Sequence, residues 1–321
     1  MEIIRGVYNL RPKHRGNVVT IGNFDGVHLG HQAVIGQLAE KGASVGAPTA
    51  VMTFEPHPQE FFLPQKAPPR LTRFREKMQM LRRFAVDRTL VIRFDRRFAL
   101  MTAEQFISEI LVKGLGVRDV IVGDDFRFGH QRRGDYAMLA RAGAQFGFAV
   151  TRMFTFSLDG ERVSSTRVRE ALAAANLELA SRLLGRAYRM SGRVARGDGR
   201  GRQLGFPTAN IHLHRQVSPL QGVYAVEVFG LDREPVMGVA NLGTRPTIDG
   251  ISRPILEVHL LDFADDLYGR YVQVGFLKFI RSEQRFGSLD QLVAQIGLDV
   301  QSARAFFART RSNSAPESGY N

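Results

Sequence analysis

Short apolar runs alternate with helical patterns through the first half of the chain. The runs are rich in β-branched side chains, which is typical of buried parallel strands. They lie at Val18–Ile21, Ala50–Phe54, Leu90–Phe94, Val120–Val122 and Phe148–Met153. The helical patterns between them lie at Gln32–Glu40, Arg73–Phe84, Ala103–Val112 and Tyr136–Phe146, with a capping box at Thr102 and Gln105 for the third. This alternation predicts a doubly wound parallel sheet, in which ligands bind beyond the carboxyl ends of the strands.

The pattern changes after Thr166. Two helices are predicted at Val168–Ala175 and Leu179–Leu184, and strand patterns then follow one another without helices between them. These strands are predicted at Met190–Arg196, Ala209–Leu213, Val223–Phe229, Val236–Asn241, Ile255–Leu261 and Tyr271–Ile280. Repeated short strands predict a barrel or a sandwich, which a helical pattern at Leu289–Phe307 closes. We therefore expect domains at residues 1–185 and 186–310 and a flexible tail at 311–321.

Composition and charge narrow the class of protein. The 321 residues are enough for two separate cores, and the absence of cysteine excludes disulfides and thiolate metal sites. The N-terminus lacks the order of a signal peptide and no apolar run is long enough to span a bilayer, so we expect a cytoplasmic protein that does not contact a membrane. The net charge of +13 suits polyanions. Because the arginines do not gather in one long run, we interpret them as scattered surface charge and do not expect nucleic-acid binding.

The first predicted strand leads into a glycine turn with two histidines. The segment reads Gly22-Asn23-Phe24-Asp25-Gly26-Val27-His28-Leu29-Gly30-His31. A strand that feeds a glycine turn and a helix start exposes backbone N–H groups that bind anions, and histidine adds further donors. The segment matches neither the Walker A loop nor the GxGxxG pattern. Two alternatives stay open for the histidines: surface residues at a helix start, or zinc ligands, although no further zinc ligand is evident nearby.

Further motifs follow along the chain. They are Ser164-Ser165-Thr166-Arg167-Val168-Arg169, the Gly/Arg-rich loop 197–205, Pro207-Thr208-Ala209-Asn210 and Leu256-Glu257-Val258-His259. The first has hydroxyls and a cation at a helix start, which suits phosphate but also suits an ordinary helix cap. In the last, Glu257 and His259 share one face of a strand. A strand face that is exposed to solvent would explain these two polar residues equally well.

Taken together, these motifs resemble those of the prokaryotic bifunctional riboflavin kinase/FAD synthetase family. The HxGH and SSTxxR elements are similar to those of adenylyltransferases, and the PTAN element is similar to that of riboflavin kinases. The resemblance extends from about Val18 to about Val300. It implies an α/β Rossmann-like nucleotidylyltransferase domain, followed by an antiparallel Greek-key β-barrel domain with a C-terminal helix. It also implies that riboflavin is phosphorylated to FMN by ATP, and that FMN is then adenylylated to FAD with release of pyrophosphate.

The resemblance also implies site residues and cofactors. Glu257 would be the general base of the kinase, and His28, His31 and Arg169 would stabilise charge in adenylyl transfer. Thr208 and Asn210 would hold Mg²⁺. ATP contacts are expected at Gly22, Phe24, Asp25, Gly26, His28, His31, Ser164, Ser165, Thr166, Arg169, Gly201, Arg202, Thr208 and Asn210. Flavin contacts are expected at Phe62, Asp125, Phe128 and Arg245. Two alternatives stay open: a glycine-bounded loop with a buried aromatic pair would explain Phe128, and burial in the core would explain Phe62.

Two other functions compete with this interpretation. One is a different HxGH nucleotidylyltransferase, which the PTAN element and the second β-rich half disfavour. The other is a basic protein that binds flavin or nucleic acid without turnover, whose affinity for nucleic acid would fall steeply with salt. The expected small-molecule partners are riboflavin, FMN and ATP, with FAD as the product. The sequence leaves a homo-oligomer open.

Overall fold

The computed structural model divides the chain into two compact units. The described residues are 1–123, 125–153, 155–196, 201, 204–246 and 252–314. The first unit comprises Met1–Pro68 and Thr72–Ser165, and the second comprises Pro69–Leu71 and the chain from Thr166 onward. Within the described ranges, no helix is long and apolar enough to cross a membrane.

A six-stranded parallel sheet forms the centre of the first unit. Its strands are β1 (Glu2–Arg5), β2 (Val18–Ile21), β3 (Thr49–Glu55), β4 (Arg88–Arg93), β5 (Asp119–Gly123) and β6 (Ala149–Met153). They lie in the order β1-β4-β3-β2-β5-β6. The predicted doubly wound sheet is thereby confirmed, with β1 as an additional edge strand that the sequence pattern did not predict. The strand order reverses between β2 and β5, and ligands of such sheets bind at the carboxyl end of that position.

Helices cover both faces of this sheet. They are α1 (Leu29–Ser44), α2 (Pro58–Phe62), α3 (Phe74–Leu81), α4 (Arg96–Ala99), α5 (Ala103–Gln105) and α6 (Tyr136–Phe146), and a small hairpin of β7 (Ser157–Leu158) and β8 (Glu161–Arg162) follows β6. The capping box of α5 is present: the Gln105 backbone N–H donates to the Thr102 hydroxyl at 3.2 Å, and the Thr102 N–H donates to the Gln105 side chain at 3.0 Å. Beyond α5 the predicted helix continues as a π-helix, Phe106–Gly114.

The second unit is a closed antiparallel barrel preceded by helices. Helices α7 (Ser165–Ala173) and α8 (Leu177–Leu184) lead to β9 (Tyr188–Ala195), β10 (Thr208–His212), β11 (Gly222–Phe229), β12 (Val236–Pro246), β13 (Ser252–Leu260), β14 (Tyr271–Arg281) and α9 (Leu289–Ser314). The barrel closes in the order β10-β13-β12-β11-β14-β9. This confirms the barrel and the C-terminal helix. The helix runs to Ser314, so the first four residues of the predicted tail are helical.

The barrel strands alternate between a buried and a ligand-accessible face. On β13, Leu256 and Val258 are at most 1% exposed, whereas Glu257 between them is half-buried. The face of β11 and β12 that carries Val223, Ala225 and Val239 packs against Ala303 and Phe307 of α9. Helix α8 packs against β9 and β14 within the same unit. By its contacts, α8 belongs to the same compact unit as the barrel. The domain boundary at 185/186 stays a prediction.

Candidate functional sites

The loop after β2 has an unusual backbone that neighbouring side chains hold in place. Phe24 and Val27 have φ values of 50° and 42°, in the left-handed region that non-glycine residues rarely adopt. The Asp25 carboxylate accepts hydrogen bonds from the Thr72 backbone N–H at 2.9 Å and from the Thr72 hydroxyl at 3.1 Å. The same hydroxyl accepts from the Gly26 N–H at 2.9 Å. Asp25 therefore anchors the loop, and its predicted contact with ATP stays a prediction.

A buried lysine supports the other side of this loop. The Lys77 ammonium donates to the Asn23 carbonyl at 2.9 Å and to the Thr53 hydroxyl at 3.3 Å, and the residue is 3% exposed. The backbone N–H of Gly22 donates to the Met52 carbonyl at 3.0 Å, which continues the pairing of β2 with β3. Sequence reasoning missed Thr72 and Lys77. The only signal in the sequence was a lysine among the apolar positions of α3.

The two histidines stack at the start of α1. Their ring centroids are 3.7 Å apart with an interplanar angle of 16°, and Phe24 lies 5.0 Å from the His31 ring. His28 is the N-cap residue, and its Nδ1 accepts from the His31 backbone N–H at 3.3 Å. The Nδ1 atom of His31 is buried and has no hydrogen-bond partner in the part of the chain that the structure describes. A buried nitrogen of this kind is available to a ligand.

Burial also fixes the charge state of His31. Desolvation, followed by the nearby His28 and the Lys77 ammonium, lowers the pKa of His31 well below its usual 6.5. The ring is therefore neutral at physiological pH, with one nitrogen that donates and one that accepts. Neither histidine belongs to a group of metal-ligating side chains within the described residues. The role of the two histidines as donors to phosphate therefore stays a prediction.

The start of the SSTxxR element lies against the histidine turn. A Cβ added to Gly30 would lie 3.2 Å from both the His28 ring and the Val163 carbonyl, so glycine permits this close approach. The Ser165 hydroxyl donates to the Asp25 carbonyl at 2.9 Å, and Ser164 precedes it. Thr166 and Arg169 belong to the second unit, where the Arg169 Nε–H donates to the Pro69 carbonyl at 2.7 Å. Contacts of these four residues with ATP stay predictions.

The predicted flavin residues of the first unit differ in exposure. Asp125 follows β5 and forms an ion pair with Arg162 at 2.7 Å. Phe62 is 60% exposed at the end of α2, whereas Phe128 is 7% exposed. Phe128 stacks on Phe126 and contacts Phe106, with both centroid distances at 5.4 Å. Phe128 thus belongs to the hydrophobic core, and its contact with flavin stays a prediction, as do those of Phe62 and Asp125.

A cavity of about 470 Å³ lies on the outer face of the barrel, beside the first half of α9. This volume is in the range of small-molecule sites. The lining residues come from β10 to β14, from the segments before β10 and after β14, and from α9. They are Gly201, Leu204, Phe206, Thr208, Asn210, Val223, Val239, Asn241, Gly243, Thr244, Ile255, Glu257, His259, Arg281, Glu283, Gln284, Phe286, Leu292, Ile296 and Asp299.

Strand register brings the predicted kinase residues together in this cavity. Glu257 on β13 pairs with Asn210 on β10 and with Asn241 on β12. One step along the same face, His259 pairs with Thr208. The His259 Nδ1–H donates to the Pro207 carbonyl at 2.9 Å, so the histidine tethers the turn that begins β10. Glu257, which is distant in sequence from Thr208 and Asn210, thus lines the same cavity as those two side chains.

Three further predicted residues lie at or beyond the limit of the described structure. Gly201 is described: a Cβ there would lie 3.0 Å from the Thr208 hydroxyl, so the backbone approaches this group closely. Arg202 lies outside the described residues. Arg245 lies near the end of β12, opposite Arg253, and its side chain lies outside what is described. Its flavin contact stays a prediction.

An ion pair that sequence reasoning missed forms the opposite wall of the cavity. The Arg281 guanidinium on β14 donates from Nε and Nη2 to the Asp299 carboxylate on α9, at 2.8 to 3.1 Å. The Gln295 amide also donates to Asp299 at 3.0 Å, and Asp299 is 3% exposed. No short motif links the two residues, because the pair depends on how α9 packs on the barrel.

Oxygen donors at the start of β10 fit a magnesium ion. The Thr208 hydroxyl and the Asn210 amide oxygen belong to side chains two residues apart on one face of the strand. Both are hard ligands, and phosphate oxygens and water commonly complete an octahedron around Mg²⁺. Groups of three or more His, Cys, Asp or Glu side chains suited to a metal are absent from the described residues.

Comparisons with known proteins agree with the two-unit fold. A family model of FAD synthetase matches residues 10–167, and one of riboflavin kinase matches residues 184–307. The bifunctional riboflavin kinase/FMN adenylyltransferase of Escherichia coli (strain K12) is 56% identical over 312 residues, covering 97% of this chain and 99% of the relative. Its counterpart from Pseudomonas fluorescens is 51% identical over 308 residues, covering 96% and 98%.

A solved structure extends these comparisons to the whole fold. A crystal structure from Streptococcus pneumoniae, described as a macrolide-efflux protein, matches with a TM-score of 0.81 and 30% identity. The match covers 95% of this chain and 99% of that one. The two matched family models and the near full-length relatives lead to one conclusion: this chain belongs to the bifunctional riboflavin kinase/FMN adenylyltransferase family.

Proposed function

We propose that this protein makes FAD from riboflavin in two steps, each of which consumes ATP. The barrel phosphorylates riboflavin to FMN, and the first unit transfers AMP from a second ATP to FMN and releases pyrophosphate. Membership of the family supports both steps. The observation that carries the proposal is the register of β10 and β13, which sets Glu257 beside Asn210 and Thr208 in one cavity.

In the kinase step, Glu257 acts as the general base. Its carboxylate accepts the proton of the riboflavin 5′-hydroxyl as that oxygen attacks the γ-phosphorus of ATP, and ADP leaves. The γ-phosphoryl group is thereby joined to the flavin, and the proton passes to Glu257. Phosphoryl transfer depends mainly on alignment and on neutralisation of charge, so a rigid strand is a suitable support for the base.

The start of β10 holds the nucleotide in this step. The backbone at Gly201 and the Thr208 hydroxyl can contact phosphate, and His259 fixes the turn through Pro207. Thr208 and Asn210 would hold Mg²⁺, which neutralises phosphate charge when it is bound. We assign a nucleotide contact to Arg202 and a flavin contact to Arg245 by family resemblance.

In the adenylyl-transfer step, the start of α1 stabilises the leaving group. A phosphate oxygen of FMN attacks the α-phosphorus of ATP, the bond to the β-phosphate breaks, and negative charge moves onto pyrophosphate. His28 and His31 donate hydrogen bonds to this charge, beside the N-terminal N–H groups of the helix. Ser164, Ser165, Thr166 and Arg169 add hydroxyls and a cation, and Phe62, Asp125 and Phe128 hold the flavin. Because both steps need ATP, we assign the enzyme to the cytoplasm.

Separation of the flavin products tests the proposal. The full-length protein is incubated with riboflavin and ATP, with and without Mg²⁺, and riboflavin, FMN and FAD are separated by chromatography. We expect FMN to form first and FAD to follow, one pyrophosphate to appear for each FAD, and neither product to form when the metal is chelated. Binding of riboflavin with ATP left intact would contradict the proposal and favour a flavin-binding protein without turnover.

A further inference from the structure

The two ends of the barrel cavity differ in chemistry. One end, at β10, carries Gly201, Thr208 and Asn210 and therefore suits phosphate groups. The other end carries apolar side chains of β11, β12 and α9, beside the Arg281–Asp299 ion pair. These apolar side chains are Val223, Val239, Leu292 and Ile296. A ligand with a polar reacting group and a flat apolar ring is thus expected to lie with its ring toward β11 and α9 and its reacting end at Glu257.

Asn241 lies between these two ends. In the register of the barrel it pairs with Glu257 on β13 and with Val223 on β11, so it adjoins the proposed base on one side and the apolar end on the other. Directly opposed residues of antiparallel strands have Cβ atoms about 4.5–5.5 Å apart. An asparagine at this distance from Glu257 can reach a group one or two carbons away from the reacting hydroxyl.

The side chain of Asn241 lines the cavity between these two ends. It is half-buried. Within the described part of the chain, no side-chain or backbone group hydrogen-bonds to this amide. A side-chain amide both donates and accepts hydrogen bonds, so at the edge of a ligand cavity it suits a ligand that does the same. Hydroxyl groups have this property.

We propose that Asn241 determines specificity for the ribityl chain of riboflavin by hydrogen-bonding its 3′- or 4′-hydroxyl. The inference rests on the proposed kinase function. If the 5′-hydroxyl lies at Glu257 and the ring lies at the apolar end, the ribityl chain passes Asn241. The residue positions the chain so that the 5′-oxygen is held for attack, and it discriminates against flavins without these hydroxyls. Sequence reasoning assigned flavin contact in this segment to Arg245 and not to Asn241.

Substrate analogues that lack single hydroxyls test this assignment. The value of kcat/KM for FMN formation is measured for the full-length protein and for Asn241→Ala, with riboflavin and with its 2′-, 3′- and 4′-deoxy analogues. Because Asn241→Ala loses one hydrogen bond, its kcat/KM with riboflavin should be about 3- to 10-fold lower than that of the unmodified protein. With either the 3′- or the 4′-deoxy analogue, the kcat/KM of the variant should equal that of the unmodified protein. Lumiflavin, which has the ring but no ribityl chain, should bind both proteins equally.

Two further variants separate recognition from a structural effect. Asn241→Leu keeps the volume of the side chain without its hydrogen-bonding groups and should show the same pattern across the analogues. Thr244→Ala removes a neighbouring polar side chain of the same cavity. The ratio of its kcat/KM to that of the unmodified protein should be the same for riboflavin and for all three analogues. Equal losses with riboflavin and with all three analogues, or weaker binding of lumiflavin, would overturn the assignment. Failure of the unmodified protein to form FMN would instead overturn the proposed function.

Discussion

Replacement of Glu257 by glutamine removes the proposed base without changing its shape. Glu257 is half-buried and pairs in register with two neutral amides, Asn210 and Asn241. Glutamine can occupy the same position among these neighbours, so we expect the fold of the barrel to be kept. What changes is the ability of the side chain to accept a proton from the riboflavin 5′-hydroxyl.

The surroundings of Glu257 set the size of the expected effect. The other carboxylates that line the cavity are poorly suited to replace it: Asp299 is engaged by Arg281, and Glu283 is exposed after β14. The Nδ1–H of His259 is bound to the Pro207 carbonyl. A general base contributes about 10²- to 10⁴-fold to rate, which corresponds to about 3–5 kcal/mol at 1.36 kcal/mol for each tenfold. We therefore expect Glu257→Gln to lower kcat for FMN formation by at least about a hundredfold.

The assay follows FMN formation from riboflavin by chromatography in the full-length protein. Glu283→Gln is the matched control, since it makes the same chemical change to another carboxylate of the same cavity. It should leave kcat close to that of the unmodified protein, and Glu257→Gln should convert supplied FMN to FAD normally. Near-normal kinase turnover in Glu257→Gln, or an equal loss in Glu283→Gln, would refute the role of Glu257 as base.

Three other predictions concern the two units separately. His31→Gln should reduce the loss of stability on acidification, measured by urea unfolding. Below about pH 6.5 the histidine of the unfolded chain binds a proton, whereas the lowered pKa keeps His31 neutral in the folded protein, so falling pH favours unfolding. Leu183→Ala should lower the free energy of unfolding of the barrel unit by about 2–5 kcal/mol, because Leu183 is fully buried on α8. Asp299→Asn should destabilise this unit by about 3–5 kcal/mol by leaving Arg281 unpaired, whereas Asp262→Asn, in the exposed pair with Arg304, should have little effect.

The elements that the sequence predicted well are those with local signals. The strand Val18–Ile21 and the helix Tyr136–Phe146 have the predicted bounds, because apolar periodicity and end residues act within a few positions. The strand β1 was missed because it is four residues long and only Ile4 of it is buried. The π-helix after α5 was also missed, since its apolar pattern is close to that of an α-helix.

The parts of the sites that could not be predicted depend on contacts between distant segments. Thr72 and Lys77 reach the loop after β2 from α3 and the segment before it, and no spacing in the sequence indicates this. The position of Asn241 beside Glu257 depends on the register of two strands. A buried aromatic pair was one of the two interpretations of Phe128, which stacks on Phe126, whereas its contact with Phe106 depends on the packing of the π-helix.

The central claim is that two separate sites of one chain carry out the two steps. The most direct measurement is the rate of both reactions, FMN from riboflavin and FAD from supplied FMN, in His31→Ala and in Glu257→Gln. We predict opposite losses: His31→Ala slows FAD formation by about 10²- to 10³-fold and keeps FMN formation, while Glu257→Gln does the reverse. Loss of both activities in either variant would contradict the claim and indicate a shared site.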